Sequence, residues 1–357
     1  MTAETEDRIN DWADNPHGPV ALHLRQELMP VEGPGGVIFP PTYAYSEANV
    51  HYNIDELADG TKIATIDSVG AQANRMEPAF LPARRDDPEN PRAALVPQIE
   101  IRYGNEKSVS LLEAGHRLGD AIVRSTALKG EVHDAFLDYD GRGDATAIAK
   151  LGPTSLVFGV WDSRDTQVKF PRVIQATIRA EDVDELRRSA QYNPPVDYAD
   201  LDVFSDADRE KSEGNPKSPL AQRGFVHVPA VGTHGGVIAR GSIRRNVTVN
   251  LIALRRLEGN GSNDVALRRY ILGLALVAAT APMDGFLRAG CLLTLDPECD
   301  SAWETISRAG VRTAVPLDED AVLAYAQAAS CDFGVGKDRQ VDFDKRLAKE
   351  DASAKKG

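Results

Sequence analysis

Two short segments of this sequence alternate between apolar and polar residues, and they lie far apart in the chain. In Val20 to Leu28 the apolar residues fall on one side of an extended chain, and His23, Arg25 and Glu27 fall on the other. Val173 to Ile178 shows the same alternation. A period of two is typical of a β-strand with one buried face. The chain is therefore expected to contain a half-buried sheet whose strands come from distant parts of the sequence.

Helical signals occur between the strand-like segments. Three helices are predicted, at 110–125, 265–280 and 318–330. The first opens with Ser110 and Glu113 at the spacing of a capping box, and the others follow the capping residues Asn263 and Asp318. Further strands are predicted at 155–161, within 225–257 and at 286–295. Because the elements do not alternate regularly, an α+β fold with helices on one face of the sheet is favoured.

Several segments have the composition of loops or solvated surface. Residues 30–41 are rich in glycine and proline, which indicates a turn or a close approach to a ligand. Residues 181–213 hold eleven acids against four bases and indicate a solvated insertion. The acidic N-terminus and the charged tail from Lys337 are expected to be flexible.

Charge and apolar content limit the function classes. The chain has 357 residues, 41 Lys and Arg against 54 Asp and Glu, a net charge of −13 and 42% hydrophobic residues. This balance argues against disorder and against a polybasic nucleic-acid binder. The apolar run 270–279 is too short to span a membrane, no signal peptide is recognisable, and three cysteines are too few for a disulfide framework. A soluble cytoplasmic protein with reduced thiols and no membrane partner is expected.

One part of the chain departs from the acidic average. Between residues 240 and 269 the sequence contains seven arginines and two acids, Glu258 and Asp264, so the local net charge is 7 − 2 = +5. The arginines are Arg240, Arg244, Arg245, Arg255, Arg256, Arg268 and Arg269. This basic centre is the region of the sequence best suited to bind phosphate.

Signatures of catalysis are sparse. The sequence lacks a Walker loop, an HExxH motif and a GxSxG elbow, and no two histidines are spaced for a helical metal site, so no cofactor and no metal are expected. The acids at 138–144 resemble a calcium loop, but Ala149 occupies the position that requires glutamate. Asp67 is either a helix cap, the favoured interpretation, or an acid that activates a nucleophile. Gln72 to Arg75 (QANR) form either a polar helix face or a set of phosphate and ribose contacts.

Four segments together resemble a known family. They are DSVGAQANRMEP at 67–78, LLEAGHRLGDAIVRS at 111–125, LGPTSLVFGVWDSR at 151–164, and FPRVIQATIRA at 170–180 with GGVIARGSIRRNVTVNLIALRRL at 235–257. The chain resembles the backbone subunit of the subtype I-U (also called I-G) CRISPR Cascade effector, a member of the RAMP superfamily. The resemblance runs in order over about residues 20–335.

The resemblance implies a ferredoxin-like (RRM-like) palm over residues 19–335, with a finger-like insertion at about 31–110 and a thumb-like insertion at about 185–224. Residues 1–18 would be a flexible acidic N-terminus and 336–357 a charged C-terminal tail. RRM modules stack bases on aromatic residues of their strands, but Val20 to Leu28 and Val173 to Ile178 contain none. Binding is therefore expected through loops, backbone amides and arginines.

The function implied by the resemblance is that of a non-catalytic scaffold. Copies of the chain would bind CRISPR RNA, oligomerise along the guide spacer beside other Cascade subunits, and present the guide for pairing with target DNA in antiviral defence. A metal-dependent RNA endonuclease that uses Asp67 or the acids at 138–144 is the alternative. A third possibility is an assembly protein whose arginines pair with acidic faces of neighbouring copies.

The residues expected to contact RNA follow from the matched segments. Gln72, Asn74 and Arg75 are expected to contact the guide backbone, and His116 and Arg117 are expected either to support them or to contact RNA directly. Trp161 either anchors a core, which is favoured, or wedges between bases. The remaining candidates are Arg172, Arg179, Gly235, Gly236, Arg240, Arg244 and Arg245, in which the glycines would let the chain approach a phosphate. No catalytic residue is assigned.

Overall fold

The computed structural model describes residues 2–46, 49–82, 90–261 and 263–353. Its strands are β1 (Ala21–Pro30), β2 (Thr42–Ser46), β3 (Asn49–Tyr52), β4 (Ile54–Glu56), β5 (Lys62–Asp67), β6 (Ile99–Tyr103), β7 (Lys107–Ser110), β8 (Val160–Trp161), β9 (Lys169–Phe170), β10 (Ile174–Glu181), β11 (Val183–Tyr192), β12 (Val228–Ala239), β13 (Ile243–Asn250), β14 (Phe286–Arg288), β15 (Cys291–Leu295), β16 (Ala302–Ile306), β17 (Arg312–Val315) and β18 (Arg339–Asp342).

The α-helices are α1 (Ala3–Asp14), α2 (Val69–Met76), α3 (Ala121–Arg124), α4 (Lys129–Arg142), α5 (Thr146–Leu151), α6 (Thr154–Val157), α7 (Asp206–Ser212), α8 (Pro219–Gln222), α9 (Leu251–Arg255), α10 (Asp264–Thr280), α11 (Glu319–Phe333) and α12 (Lys345–Ser353). Helices α10 and α11 confirm the predictions at 265–280 and 318–330, and the Asp318 carboxylate accepts from the Ala321 amide at 2.8 Å.

The two alternating segments become strands on either side of β13. The main sheet is antiparallel, and its strands run in the order β14, β15, β1, β13, β10, β5, β4, with β16 and β17 continuing beside β1. Leu22 and Leu24 of β1 and Val247 and Val249 of β13 are buried, as period two requires. The predicted strands at 20–28 and 173–178, and the α+β fold class, are confirmed.

The buried face of the sheet carries two apolar clusters. The larger cluster packs beneath α10 and α11 and includes Leu22, Val247 and Tyr270. The smaller cluster gathers around Ile178 and Ile243. The opposite face is polar: in the strand register, His23 lies opposite Thr248, and Arg25 lies opposite Asn246. One face is thus closed by helices, and the other is open and lacks aromatic side chains on β1, β13 and β10.

Two segments near the ends of the described chain contain regular secondary structure. Residues 3–14 form α1, in which Ile9 and Trp12 are buried in the larger core. Residues 339–342 form β18, which pairs in parallel with β6, and α12 follows. Side chains of these segments have partners elsewhere in the fold, such as Asp342 with Arg102 at 2.8 Å. The expected flexibility of the two segments stays a prediction.

Three local predictions were wrong. Residues 110–125 form two 3₁₀ turns (Leu111–Glu113 and Arg117–Gly119) and α3 instead of one helix, although the Ser110 capping box is present. Residues 155–161 form the end of α6 and the short strand β8, and 286–295 form the hairpin β14–β15 instead of one strand. Loop geometry set by distant partners overrides local periodicity in each case.

The acidic insertion is an arm anchored in the sheet. Strands β11 and β12 pair as a long antiparallel ribbon, and residues 193–227 between them hold α7 and α8. The region expected to be finger-like, about 31–110, supplies β4 and β5 to the main sheet, and its residues 47–48 and 83–89 lie outside the described part of the chain. None of the helices in the described ranges is long and apolar enough to cross a membrane.

Candidate nucleic-acid interface

The most exposed of the three tryptophans lies on a short hairpin. Trp161 of β8 is 55% exposed and sits directly opposite Lys169 of β9. The Lys169 ammonium lies 5.7 Å from the centroid of the indole ring. On the other face of the hairpin, Val160 and Phe170 are buried and anchor it to the core. The core interpretation of Trp161 was therefore wrong, and its ring is available to a ligand.

A buried carboxylate holds the loop between these two strands. Asp162 is 3% exposed, and its Oδ2 accepts from the Thr166 amide at 2.9 Å and from the Thr166 hydroxyl at 2.7 Å. The Arg124 guanidinium lies 3.8 Å from the same carboxylate. Charge-assisted hydrogen bonds of this kind fix a loop more strongly than neutral ones. The hairpin is therefore a rigid support for Trp161.

Residues from three separate segments meet around this hairpin. They line a cavity of about 630 Å³, which we term the Trp161 pocket, and its polar and aromatic lining comprises Asn74, His116, Arg117, Trp161, Ser163, Arg164, Lys169, Phe170 and Arg172. Among the residues that the structure describes, no aspartate or glutamate lines this pocket. Five residues proposed from sequence, Asn74, His116, Arg117, Trp161 and Arg172, come together here.

Arg117, one of the lining residues, belongs to a buried ion pair. Arg117 Nε lies 2.9 Å from Glu77 Oε2, and both side chains are almost fully buried. Burial raises the pKa of Glu77 to about 7, although Arg117 opposes the shift, and burial lowers the pKa of Arg117. Arg117 has a left-handed backbone, with φ of 51°, and its partner Glu77 is distant in the sequence.

Backbone carbonyls orient the two arginines of the pocket. Arg117 Nη1 donates to the Gly159 carbonyl at 3.2 Å, and Arg172 Nε donates to the Phe158 carbonyl at 3.0 Å. Gly159 has φ of 79°, and a Cβ there would lie 2.8 Å from Arg172 Cγ. Since any other residue would be strained and crowded, glycine at 159 allows Arg172 to lie against the chain.

Three of the other expected RNA contacts, Gln72, Arg75 and Arg245, belong to an internal polar cluster. Asp67 is fully buried at the end of β5 and accepts from Gln72 Nε2 at 2.8 Å, Arg75 Nε at 2.9 Å and Arg288 Nη2 at 2.9 Å. Gln72 in turn accepts from Arg245 Nε at 2.9 Å. We term these five residues the Asp67 network. Gln72 and Arg245 are buried, so the expectation that they contact the guide directly is corrected.

The Asp67 network has a clear place in the fold. Arg245 occupies an inward position of β13 between Ile243 of the smaller core and Val247 of the larger one. Burial lowers the pKa of Arg245 to about 10, and Asp67 opposes that shift. Ser68, not Asp67, caps α2, because its hydroxyl accepts from the Ala71 amide. The favoured interpretation of Asp67 as a helix cap was therefore wrong.

The basic centre of the sequence does not form a bare cationic surface. Arg244 pairs with Glu27 at 2.7 Å and with Glu181 at 3.1 Å, and Arg240 pairs with Asp184 at 2.6 Å. Arg269 pairs with Asp14, Arg268 donates to the Leu257 carbonyl, and Arg255 donates to the Pro19 carbonyl. Arg179 is exposed on the open face of the sheet, opposite Arg244, and Arg256 is exposed as well. Most of these arginines neutralise acids or cap carbonyls of the same chain.

Gly235 and Gly236 form no phosphate loop. Both lie within β12, and a Cβ on Gly235 would lie 2.8 Å from the Leu186 carbonyl carbon and oxygen. A Cβ on Gly236 would lie 2.6 Å from Val37 Cγ1. The Gly236 amide donates to the Tyr52 hydroxyl at 3.0 Å. The pair permits close packing at the base of the arm, which corrects the expected role.

A substitution tests this packing role. Gly236→Ala is expected to lower the free energy of unfolding by about 1–3 kcal/mol, because it combines backbone strain with a steric clash. Gly232→Ala is the matched control, since Gly232 lies in the same strand with φ of 68° and has no atom within 4 Å of its Cβ position. Urea denaturation compares the two variants. Equal losses would contradict the packing role of Gly236.

Arg164 and Lys169 are two residues of the pocket that sequence reasoning missed. Both are exposed: Arg164 lies within the loop that follows Trp161, and Lys169 is the first residue of β9 after that loop. Arg164 ends the matched segment LGPTSLVFGVWDSR, and Lys169 immediately precedes FPRVIQATIRA. Their proximity to Arg172 was not visible because a strand was expected at 155–161, where the chain turns into a hairpin.

Comparison with known proteins gives one result. Residues 22–185 match the family model described as CRISPR-associated protein GSU0053, and this range covers somewhat less than half of the chain. No curated protein matches the sequence significantly. The match supports a CRISPR-associated protein. All residues that line the Trp161 pocket lie within the matched range.

Proposed function

We propose that this protein is a non-catalytic CRISPR RNA-binding backbone subunit of a type I Cascade effector, of the subtype I-U (I-G) kind. Copies would assemble along the guide spacer with other Cascade subunits and leave its bases free to pair with target DNA. The observation that carries this proposal is the Trp161 pocket. It combines an exposed indole with Arg164, Lys169 and Arg172, and its lining within the described ranges contains no acid.

The chemistry of the pocket suits a nucleic-acid backbone. Guanidinium and ammonium groups bind phosphates without reading sequence, and sequence recognition is left to base pairing. The open face of the main sheet adds amide, hydroxyl and imidazole groups, including Asn246, Thr248 and His23. We propose further that this sheet is the ferredoxin-like palm of a RAMP protein, with the arm of β11 and β12 as its thumb-like insertion.

The absence of catalysis is part of the proposal. Both oxygens of Asp67 already accept hydrogen bonds from guanidinium or amide groups, so the carboxylate is engaged and buried. The acids at 138–144 begin within the last turn of α4, where Asp138 pairs with Arg142 at 2.6 Å. Labelled RNA incubated with the protein and Mg²⁺ or Mn²⁺ should remain intact. Cleavage that Asp67→Ala abolishes, in a variant that still folds, would favour the endonuclease alternative.

The assembly alternative relied on Arg244 and Arg245 pairing with neighbouring copies. Arg244 pairs within its own chain, and Arg245 is buried. A more direct test is to reverse the charge of Arg164 and Lys169 and to measure oligomerisation with and without RNA. Under the proposal, the variant loses RNA-dependent oligomers only. Loss of oligomers in RNA-free protein would instead support the assembly alternative.

Salt dependence tests RNA binding itself. The affinity for a spacer-length RNA, measured by fluorescence anisotropy, should fall steeply between about 50 and 500 mM salt, with a slope of about 0.7 per phosphate contact. Arg164→Glu with Lys169→Glu should weaken binding and lower this slope. Arg346→Glu with Lys349→Glu is the matched control, because both residues are exposed on α12. Equal effects of the two double variants, or no salt dependence in the wild type, would contradict the proposal.

A further inference from the structure

Trp161 differs from the other tryptophans of the chain in its environment. Trp12 is 3% exposed and Trp303 is 6% exposed, and both pack in the larger core. Trp161 is 55% exposed, yet its backbone belongs to a strand and not to a mobile loop. A large aromatic surface left in water forgoes the stabilisation that burial would give. Its exposure therefore calls for an explanation by binding.

The hairpin backbone that carries the indole is held in place by contacts within the chain. Asp162 fixes the loop through Thr166, as described above, and Gly119 lies directly against the hairpin backbone. A Cβ on Gly119 would lie 3.2 Å from the Trp161 carbonyl oxygen and 3.2 Å from Val160 Cγ2. A preorganised group loses less entropy on binding than a mobile one. The hairpin is thus a preorganised platform that presents the ring.

The charges around the platform select the kind of ligand. Arg164, Lys169 and Arg172 carry three positive charges, and no carboxylate from the described part of the chain lines the pocket. A flat apolar ring bordered by cations matches a planar base joined to phosphates. An acidic protein segment would meet the same charges but would have no planar group suited to the indole face.

We propose that Trp161 stacks with one unpaired base of a single-stranded RNA, while Arg164, Lys169 and Arg172 hold its flanking phosphates. This subsite rests on the proposed function, because it specifies how the chain grips an RNA. Stacking on an aromatic ring is tolerant of base identity. The subsite therefore accepts any of the four bases at that position of the guide.

Fluorescence of the full chain tests the subsite directly. Because Trp161 is the exposed tryptophan, acrylamide should quench it preferentially, and bound oligouridine should protect it. Trp161→Leu should remove the quencher-accessible emission and weaken oligouridine binding on the order of 5- to 100-fold. Trp161→Phe should retain part of the affinity, and it provides a second variant should Trp161→Leu fold poorly. An RNA of the same length without bases should bind the wild type and Trp161→Leu with equal affinity.

Several outcomes would overturn the subsite. Unchanged acrylamide quenching in the RNA-bound protein, or unchanged affinity in both Trp161 variants, would show that RNA binds elsewhere and would leave the scaffold function intact. Equal protection by polyglutamate would reassign the pocket to an acidic protein partner. If no RNA binds even at low salt, the proposed function fails together with the subsite.

Discussion

Replacement of Asp67 by alanine is expected to lower the free energy of unfolding by about 3–5 kcal/mol. The Asp67 carboxylate is fully buried and forms ion pairs with Arg75 and Arg288, both at 2.9 Å. Removing it leaves two guanidiniums close together without their anion, beside the buried Arg245. Such uncompensated positive charges in a desolvated site are among the most destabilising changes a single substitution can cause.

Two further variants separate the charge of Asp67 from its position. Asp67→Asn keeps an acceptor oxygen but removes the negative charge. It should therefore lower the free energy of unfolding by less than the alanine variant does, but still by more than about 1 kcal/mol. Asp55→Ala alters an exposed aspartate on neighbouring β4 and should change stability by less than about 0.5 kcal/mol. Urea denaturation followed by tryptophan fluorescence measures all three. An Asp67→Ala variant as stable as Asp55→Ala would contradict a structural role for the Asp67 network.

The sequence pattern was sufficient to predict strands where one strand face is mainly apolar. Val20 to Leu28 and Val173 to Ile178 formed strands as predicted because their alternation matches the single buried face of the sheet. The same alternation also occurs in β13, where the sequence analysis did not apply it to Arg245. Arg245 shares the inward side with Ile243, Val247 and Val249, so strict alternation already placed this arginine in the interior. This register is incompatible with the expectation that Arg245 of the basic centre binds phosphate.

Contacts between distant residues explain the main errors. The periodicity of 110–125 indicated a helix, but Arg117 adopts a left-handed conformation and pairs with Glu77, which lies far away in the sequence. No local pattern encodes that partner. Likewise the net local charge of +5 could not reveal that Arg240 and Arg244 meet acids from other strands. The exposed cations of the Trp161 pocket, by contrast, come from residues 164–172, a short stretch whose net charge is not unusual.

Stability is expected to fall as the pH rises through about 7, because of Glu77. Its pKa in the folded protein is about 7, against an ordinary value of 4.5. Between these values the folded protein retains a proton that the unfolded chain loses, so this stabilisation is fully present below about pH 4.5 and is lost as the pH rises through 7. The shift corresponds to roughly 3 kcal/mol.

The variant Glu77→Gln isolates this contribution. Glutamine cannot ionise, so the variant should lack the decrease in the free energy of unfolding that the wild type shows between about pH 5 and pH 8. It carries a constant penalty because Arg117 remains without an anion. Glu298→Gln, at an exposed position, should retain the wild-type pH profile. Urea denaturation at several pH values supplies the comparison, and parallel profiles for wild type and Glu77→Gln would contradict the assignment.

The same titration should change RNA affinity, because Arg117 lines the Trp161 pocket. Above pH 7 the Glu77 carboxylate cancels the charge of Arg117, and below it the protonated acid leaves one additional positive charge beside Arg172. RNA should therefore bind more tightly at pH 6 than at pH 8. His116 lines the same pocket, so the relevant quantity is the part of this dependence that Glu77→Gln removes. If Glu77→Gln leaves the pH dependence of RNA binding unchanged, the buried pair does not contribute to the charge that the RNA meets.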